Sequence, residues 1–241
     1  MVSKSIVYYT DSLLDEKIAE SCRDQLAYCA GSHDGIREVI SVSLNKKLAF
    51  GTWYLTVYGE RGPLTMFRQI LLGLEQLTSD VVFLCEHDVL YEKSHFDLTP
   101  PDPAKVYYNH NWWQVRTSDG HCVRWDANKV SQLCAYRELL IDHYRKRIEI
   151  CERVGFSMAQ GYEPAGNNRA ERVDDLKSDF WVSRYPNVDI KHGSNLTPAK
   201  WKQSDFRSQR NCQNWKESDE LEYWGKTKPF SEFLARVSAG V

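Results

Sequence analysis

The stretch that most constrains the fold runs from Thr78 to Tyr91, TSDVVFLCEHDVLY. Val81, Val82, Phe83, Leu84 and Cys85 follow one another with no polar alternation. Such a run predicts a strand buried on both faces, as in the middle of a parallel sheet. Glu86, His87 and Asp88 come next, and Val89-Leu90-Tyr91 resumes the apolar character. Two carboxylates at the end of a buried strand need exposure, a partner or a cation, because burying a bare charge is costly. Ligand sites in open α/β sheets collect at the carboxyl ends of strands. A divalent-metal or phosphate-linked site would explain the pattern, and so would a solvated acidic turn.

The flanking sequence supplies elements to go with this strand. Ser5–Tyr9 (SIVYY) reads as a first strand ending at Thr10-Asp11-Ser12. Leu14, Ile18, Cys22 and Leu26 predict a helix over 13–28, with Asp11 or Ser12 as its N-cap. Arg37–Leu44 is a second strand. The loop Gly59–Pro63 opens a helix striped by Leu64, Phe67, Ile70, Leu71, Leu74 and Leu77, which leads directly into the acidic strand. A right-handed crossover would set the end of that strand beside Thr10-Asp11. Further on, Val106–Tyr108 reads as a short strand and Trp112–Trp125 as a hairpin turning at Ser118-Asp119-Gly120. A long helix is predicted over Ser131–Val154, with its basic stretch His143–Arg147 as a solvated face. Residues 155–180 read as a mobile loop with a short helix, and Val188–Lys191 as a strand that delivers His192-Gly193.

Composition narrows the class without deciding it. A chain of 241 residues can bury a sizeable core, and a net charge of -2 demands neither nucleic acid nor an acidic membrane. The N-terminus lacks a long apolar stretch, and no run approaches the roughly 18 apolar residues of a membrane span. The seven cysteines include no C-x-x-C pair, so reduced thiols and a cytoplasmic location are expected. Asn195-Leu196-Thr197 matches a glycosylation sequon by coincidence on that view.

The order of these features over roughly residues 5–197 resembles GT-A-type glycosyltransferases, the nucleotide-diphospho-sugar transferases. The features are a first strand ending in Thr10-Asp11, a buried strand ending in Glu86-His87-Asp88 and a late strand ending in His192-Gly193. The resemblance implies an α/β, GT-A-like doubly wound fold: a mostly parallel central sheet with flanking helices and a small antiparallel hairpin region. It implies one domain over 1–241, with a nucleotide-sugar-binding half (1–100), an acceptor and catalytic half (101–198) and an aromatic, basic extension (199–241). It further implies metal-dependent transfer from a nucleotide-diphosphate donor, a UDP-sugar foremost, to a hydroxyl of a glycan or small molecule, with Mn²⁺ or Mg²⁺ as cofactor.

Glu86-His87-Asp88 would be a variant Asp-x-Asp motif, with Glu in place of the first Asp. Asp88 and His192 would hold the metal, and Glu86 would join them or contact the sugar. Thr10 and Asp11 would face the nucleoside, and Arg68 would pair with a phosphate or with Asp11. His87 is expected to turn to the sheet's other face and pack. For the base that deprotonates the acceptor, Glu163 and Asp175 are favoured over Asp174, Asp126 and Glu138. Both lie in the glycine-containing segment before His192, of a kind that closes over a donor in this fold. Three alternatives stay open: transfer to modified nucleic-acid bases, a non-enzymatic nucleic-acid-binding protein built on the Lys/Arg–Trp tail, and a nucleotidyltransferase. The glycine-free YYTDSLLDE counts against the last, and the acids Glu217, Asp219, Glu220 and Glu222 interrupt any basic stripe in the tail. Trp201 or Trp215 would stack on a sugar or base.

Overall fold

A computed structural model describes residues 2–157, 160–165 and 176–240. The strands are β1 (Lys4–Thr10), β2 (Ile36–Leu44), β3 (Trp53–Val57), β4 (Val81–Glu86), β5 (Val89–Leu90), β6 (Lys105–Asn109) and β7 (Trp112–Arg116). They continue with β8 (Cys122–Arg124), β9 (Leu133–Tyr136), β10 (Lys177–Trp181), β11 (Asn187–Lys191), β12 (Lys216–Ser218), β13 (Glu220–Leu221) and β14 (Gly225–Lys226). Four helices accompany them: α1 (Glu16–Gly31), α2 (Pro63–Gln76), α3 (Arg137–Val154) and α4 (Phe230–Ser238).

The central sheet has seven strands in the order β10-β6-β9-β4-β1-β2-β3, and only β9 runs antiparallel to its neighbours. Val81 to Cys85 are completely buried, as the unbroken apolar run requires. Alternation on β1 explains the two covering layers. Val7 and Tyr9 face α2 and α3 together with Phe67, Ile70, Leu74 and Tyr144. Ile6 and Tyr8 face the other way, toward Leu26 and Cys29 of α1. Each such buried side chain contributes about 1.5–3 kcal/mol. Gly73 lets α2 lie close on β1, since a Cβ there would stand 2.7 Å from a Val7 methyl. The architecture is α/β with a mostly parallel sheet covered on both faces.

A second sheet, β12-β8-β7-β11-β5, is joined to the first through β4 and β5. The expected hairpin is present as β7 and β8, paired at Gln114↔Val123 and Val115↔Cys122. Gly120 turns it at φ 85°, where a Cβ would also lie 1.9 Å from the Thr227 carbonyl oxygen. The C-terminal helix α4 packs Phe230, Phe233 and Val237 against Leu14, Ile18 and Cys22 at the start of the chain.

Several expectations need correction. The helix predicted from Ser131 begins at Arg137, because Leu133, Cys134 and Ala135 are all completely buried and form strand β9 between β4 and β6. The His143–Arg147 stretch is not a solvated face: Arg147 is 1 % exposed and His143 4 %. The N-cap of α1 is Asp15, whose carboxylate accepts from the Lys17 and Ile18 N–H groups. Neither Asp11 nor Ser12 serves there. Within the predicted loop 155–180, residues 177–181 form edge strand β10, parallel to β6, while 166–175 lie outside the described residues. All seven cysteines are unpaired and buried. Among the described residues no helix is long and apolar enough to cross a membrane.

Candidate active site

The carboxyl ends of β1 and β4 lie side by side, with Tyr9 opposite Glu86 in the parallel register. They open into a cleft of about 650 Å³. Thr10, Asp11, Glu86, His87 and Asp88 line it from the central sheet, and Asp189, Lys191 and the following loop through Lys200 line it from the second sheet. The second group arrives by strand pairing. β5 pairs antiparallel with β11 at Val89↔Asp189, and the Ile190 N–H donates to the Asp88 carbonyl at 2.7 Å. That register carries Lys191 and His192 to the acidic turn from about a hundred residues away.

At the centre, one nitrogen each from His87 and His192 and one oxygen of Asp88 all lie within 4.8 Å of one another. Nε2 of His192 is 3.5 Å from Asp88 Oδ2, yet it is a buried atom with no aligned hydrogen-bond partner. Asn195 braces the group: its Nδ2 donates to Asp88 Oδ2 at 2.7 Å, and its Oδ1 accepts from the His192 N–H at 2.7 Å. Burial opposes the charge on Asp88, but the neighbouring His192, His87 and Lys191 outweigh it and hold its pKa well below the usual range. Two imidazoles and an ionised carboxylate, with one imidazole nitrogen left unsatisfied, fit a divalent cation. His87 therefore does not pack away from the cleft as expected. Thr10 Oγ1 lies 2.5 Å from its Nδ1, and this contact turns the ring toward the first-strand end.

Glu86 has a different environment. The Tyr9 hydroxyl donates to its Oε1 at 2.6 Å, and burial, followed by the Asp88 charge, raises its pKa to about 8. The group with metal-ligand spacing contains His87 and does not include Glu86. Farther along, Asp189 is shared by two lysines. Lys191 Nζ lies 3.0 Å from Oδ1, and Lys129 Nζ donates to Oδ2.

Asp11 lines the cleft and is held by Arg61, whose Nε donates to Oδ2 at 2.6 Å. Arg61 also donates to the Ser194 carbonyl, tying the first-strand end to the loop after β11. Arg61 was missed in the sequence because it sits in an irregular loop, although its position just before Pro63 and a helix N-terminus was a usable signal. Arg68 lies on the outer face of α2, exposed and paired with Glu152 at 2.7 Å, and does not line the cleft.

Glu163 lines the cleft beside Gly161 and Tyr162. The buried Arg147 of α3 fixes this segment, donating to the carbonyls of Gly161 at 3.0 Å, Tyr162 at 2.7 Å and Glu163 at 3.4 Å. The Tyr108 hydroxyl adds a bond to the Pro164 carbonyl at 2.5 Å. Burial raises the pKa of Glu163 against the lowering effect of its backbone N–H contacts and of Arg147. Asp174 and Asp175 fall outside the described residues. Asp126 accepts from Asn214 Nδ2, and Glu138 is exposed and pairs with Arg137; neither lines the cleft. Trp215 stacks on Trp125 with ring centroids 5.6 Å apart, and Arg116 lies over Trp201. Trp125 is the tryptophan that reaches the cleft wall.

No family model matches the sequence, and no curated protein matches it. Among solved structures the chain is similar to a glycosyltransferase involved in the glycosylation of the major capsid of PBCV-1, with TM-score 0.43 and 8% identity over 75% of this chain and 82% of that one. It is similar to a CMP:2-keto-3-deoxy-manno-octonic acid synthetase complexed with CTP, with TM-score 0.43 and 12% identity over 78% and 93% of the two chains. A third similarity is to the glycosyltransferase GlyE of Streptococcus pneumoniae TIGR4, with TM-score 0.38 and 14% identity over 64% of this chain and 39% of that one. At these scores the similarity is one of outline, and the chemistry of the cleft is read from its own residues.

Proposed function

We propose that this chain is a metal-dependent glycosyltransferase that moves a sugar from a nucleoside-diphosphate donor, a UDP-sugar foremost, to an acceptor hydroxyl. The observation that carries the reading is the meeting of His87, Asp88 and the buried His192 at the wall of the cleft that His87, Asp88 and Glu163 line. His87, Asp88 and His192 would hold the cation, and two imidazoles beside one carboxylate favour Mn²⁺ over Mg²⁺. When bound, the cation supplies Lewis-acid neutralisation of the donor diphosphate.

The remaining roles belong to the chain's own side chains. Thr10 and Asp11 contact the nucleoside, with Asp11 oriented by Arg61. Arg61 takes the phosphate-facing role that the sequence suggested for Arg68. Glu86 contacts the sugar. Glu163, its pKa raised by burial, takes the proton of the acceptor hydroxyl. As it does so, the acceptor oxygen bonds to the anomeric carbon. The bond from that carbon to the diphosphate oxygen breaks, and the nucleoside diphosphate leaves. Asp175 is the second candidate for the base, and residues 1–100, 101–198 and 199–241 serve as donor half, acceptor half and extension.

The test is thermal unfolding with UDP and Mn²⁺ separately and together. Together at a hundredfold excess over Kd they should raise Tm by about 5–10 °C, and Asp88→Asn should abolish the rise while unfolding cooperatively. An unchanged Tm with every nucleoside diphosphate plus Mn²⁺ would overturn the reading.

A further inference from the structure

The mouth of the cleft carries a charge imbalance that the reaction above does not use. Segment 196–215 holds Lys200, Lys202, Arg207 and Arg210 against one acid, Asp205, in a chain whose net charge is -2. Lys200 and Arg207 line the cleft, while Lys202 and Arg210 are exposed beyond it. Asp205 offsets only one of them: its Oδ2 accepts the backbone N–H groups of Trp201 at 2.7 Å and Lys202 at 3.0 Å, and its charge acts on Lys202 and Lys200. Among the described residues none of these four cations forms an ion pair, whereas Arg23, Arg68, Lys105, Arg116, Arg145 and Lys228 each hold a carboxylate.

The segment is anchored, so the cations stand on a fixed platform. Phe206 and Cys212 are buried with Trp112 and Trp125. Gln114 Nε2 donates to the Lys200 carbonyl at 2.8 Å, and the Asp126 N–H to the Gln213 carbonyl at 2.9 Å. Of the acids that follow in sequence, Glu217 lies 3.1 Å from His121 and Asp219 2.8 Å from Lys228, while Glu220 and Glu222 are exposed.

A ligand that meets all four cations must extend past the cleft, which a single sugar or small molecule cannot do. Exposed amides and hydroxyls from Gln203, Ser204, Ser208 and Gln209 stand between the cations, a mixture suited to phosphates and sugars of a nucleic-acid backbone. A basic track beside a cleft large enough for one residue suits an enzyme acting on one unit of a strand. We propose that residues 198–211 dock a single-stranded nucleic acid as the acceptor, with one nucleotide turned into the cleft. What becomes of that nucleotide rests on the glycosyltransferase reading; the docking does not.

Fluorescence anisotropy of the full chain with labelled DNA and RNA strands of about 20 nucleotides tests this, at roughly 50 and 200 mM salt, with heparin as a non-nucleic polyanion. Binding should weaken steeply with salt. In the double variant K202E/R210E it should fall about tenfold or more, and the logarithmic salt slope should flatten by about 1.4. The UDP–Mn²⁺ thermal shift of that variant should be unchanged, which shows its fold intact. Absence of strand binding at the lower salt, undiminished binding by the variant, or equally tight binding of heparin would each overturn the proposal. Strand binding without any nucleotide–metal shift would overturn the glycosyltransferase reading and leave the docking surface standing.

Discussion

The two sheets furnish the cleft in different ways. The central sheet contributes Thr10, Asp11, Glu86, His87 and Asp88 from two adjacent parallel strands whose ends lie together by topology alone. The second sheet contributes Asp189 and Lys191, and sets the buried His192 against Asp88, only because β11 pairs with β5 in one register. Slipping that pairing by one residue would reverse which side chains face the cleft. One side of the site thus follows from two neighbouring parallel strands of the central sheet, and the other from a single long-range strand pairing. The contrast says where the site is vulnerable.

The largest effect is expected from Asp88→Asn, which keeps an acceptor for Asn195 but removes the charge at the join of the two sheets. Transfer measured as nucleoside-diphosphate release should fall by about three orders of magnitude, with the urea midpoint little changed. Activity near that of the unaltered chain would disconnect the acidic turn from the chemistry.

Next in size is Arg147→Met. It strips three carbonyls of a buried donor and should cost about 2–4 kcal/mol in urea unfolding. The Glu163 segment is loosened while Asp88 is left in place, so Mn²⁺ binding should persist when turnover is lost. Joint loss of both would mean that the segment and the metal group are not separable.

Legibility divides along the same line. Unbroken burial at Val81–Cys85 and the first strand at Ser5–Tyr9 followed from apolar pattern, because that pattern is a local consequence of burial in a parallel sheet. Glu163 was reached as one of several acids in a glycine-containing segment. What holds it, Arg147, was misread as solvated, since a basic stretch on a helix gives no sign that one arginine caps buried carbonyls. His87 was misassigned because strict alternation along β4 was extended past the strand's end, where the turn into β5 redirects the side chain. Asn195 looked like a chance sequon; its bond to Asp88 spans 107 residues and has no local signature.

That bond gives a smaller test of the second sheet. Asn195→Ala should weaken Mn²⁺ binding by about 10–100-fold in a titration followed by electron paramagnetic resonance, as loss of a ligand's orienting partner does, and the fold should be retained. Unchanged affinity would show that the register of β11 alone positions Asp88 and His192.

The smallest effect is expected at Arg68, whose pair with Glu152 is exposed on both sides. Arg68→Ala should change stability by less than about 1 kcal/mol and leave nucleotide affinity alone, whereas Arg61→Ala should lower it. The opposite outcome would return the phosphate contact to α2.

His87, Asp88 and His192 are proposed to form one metal centre across the two sheets. Anomalous diffraction from crystals soaked with Mn²⁺ and UDP reads this directly. A manganese peak bounded by these three side chains and the UDP phosphates is expected. UDP bound in the cleft with manganese elsewhere, or with no manganese beside Asp88, would contradict it.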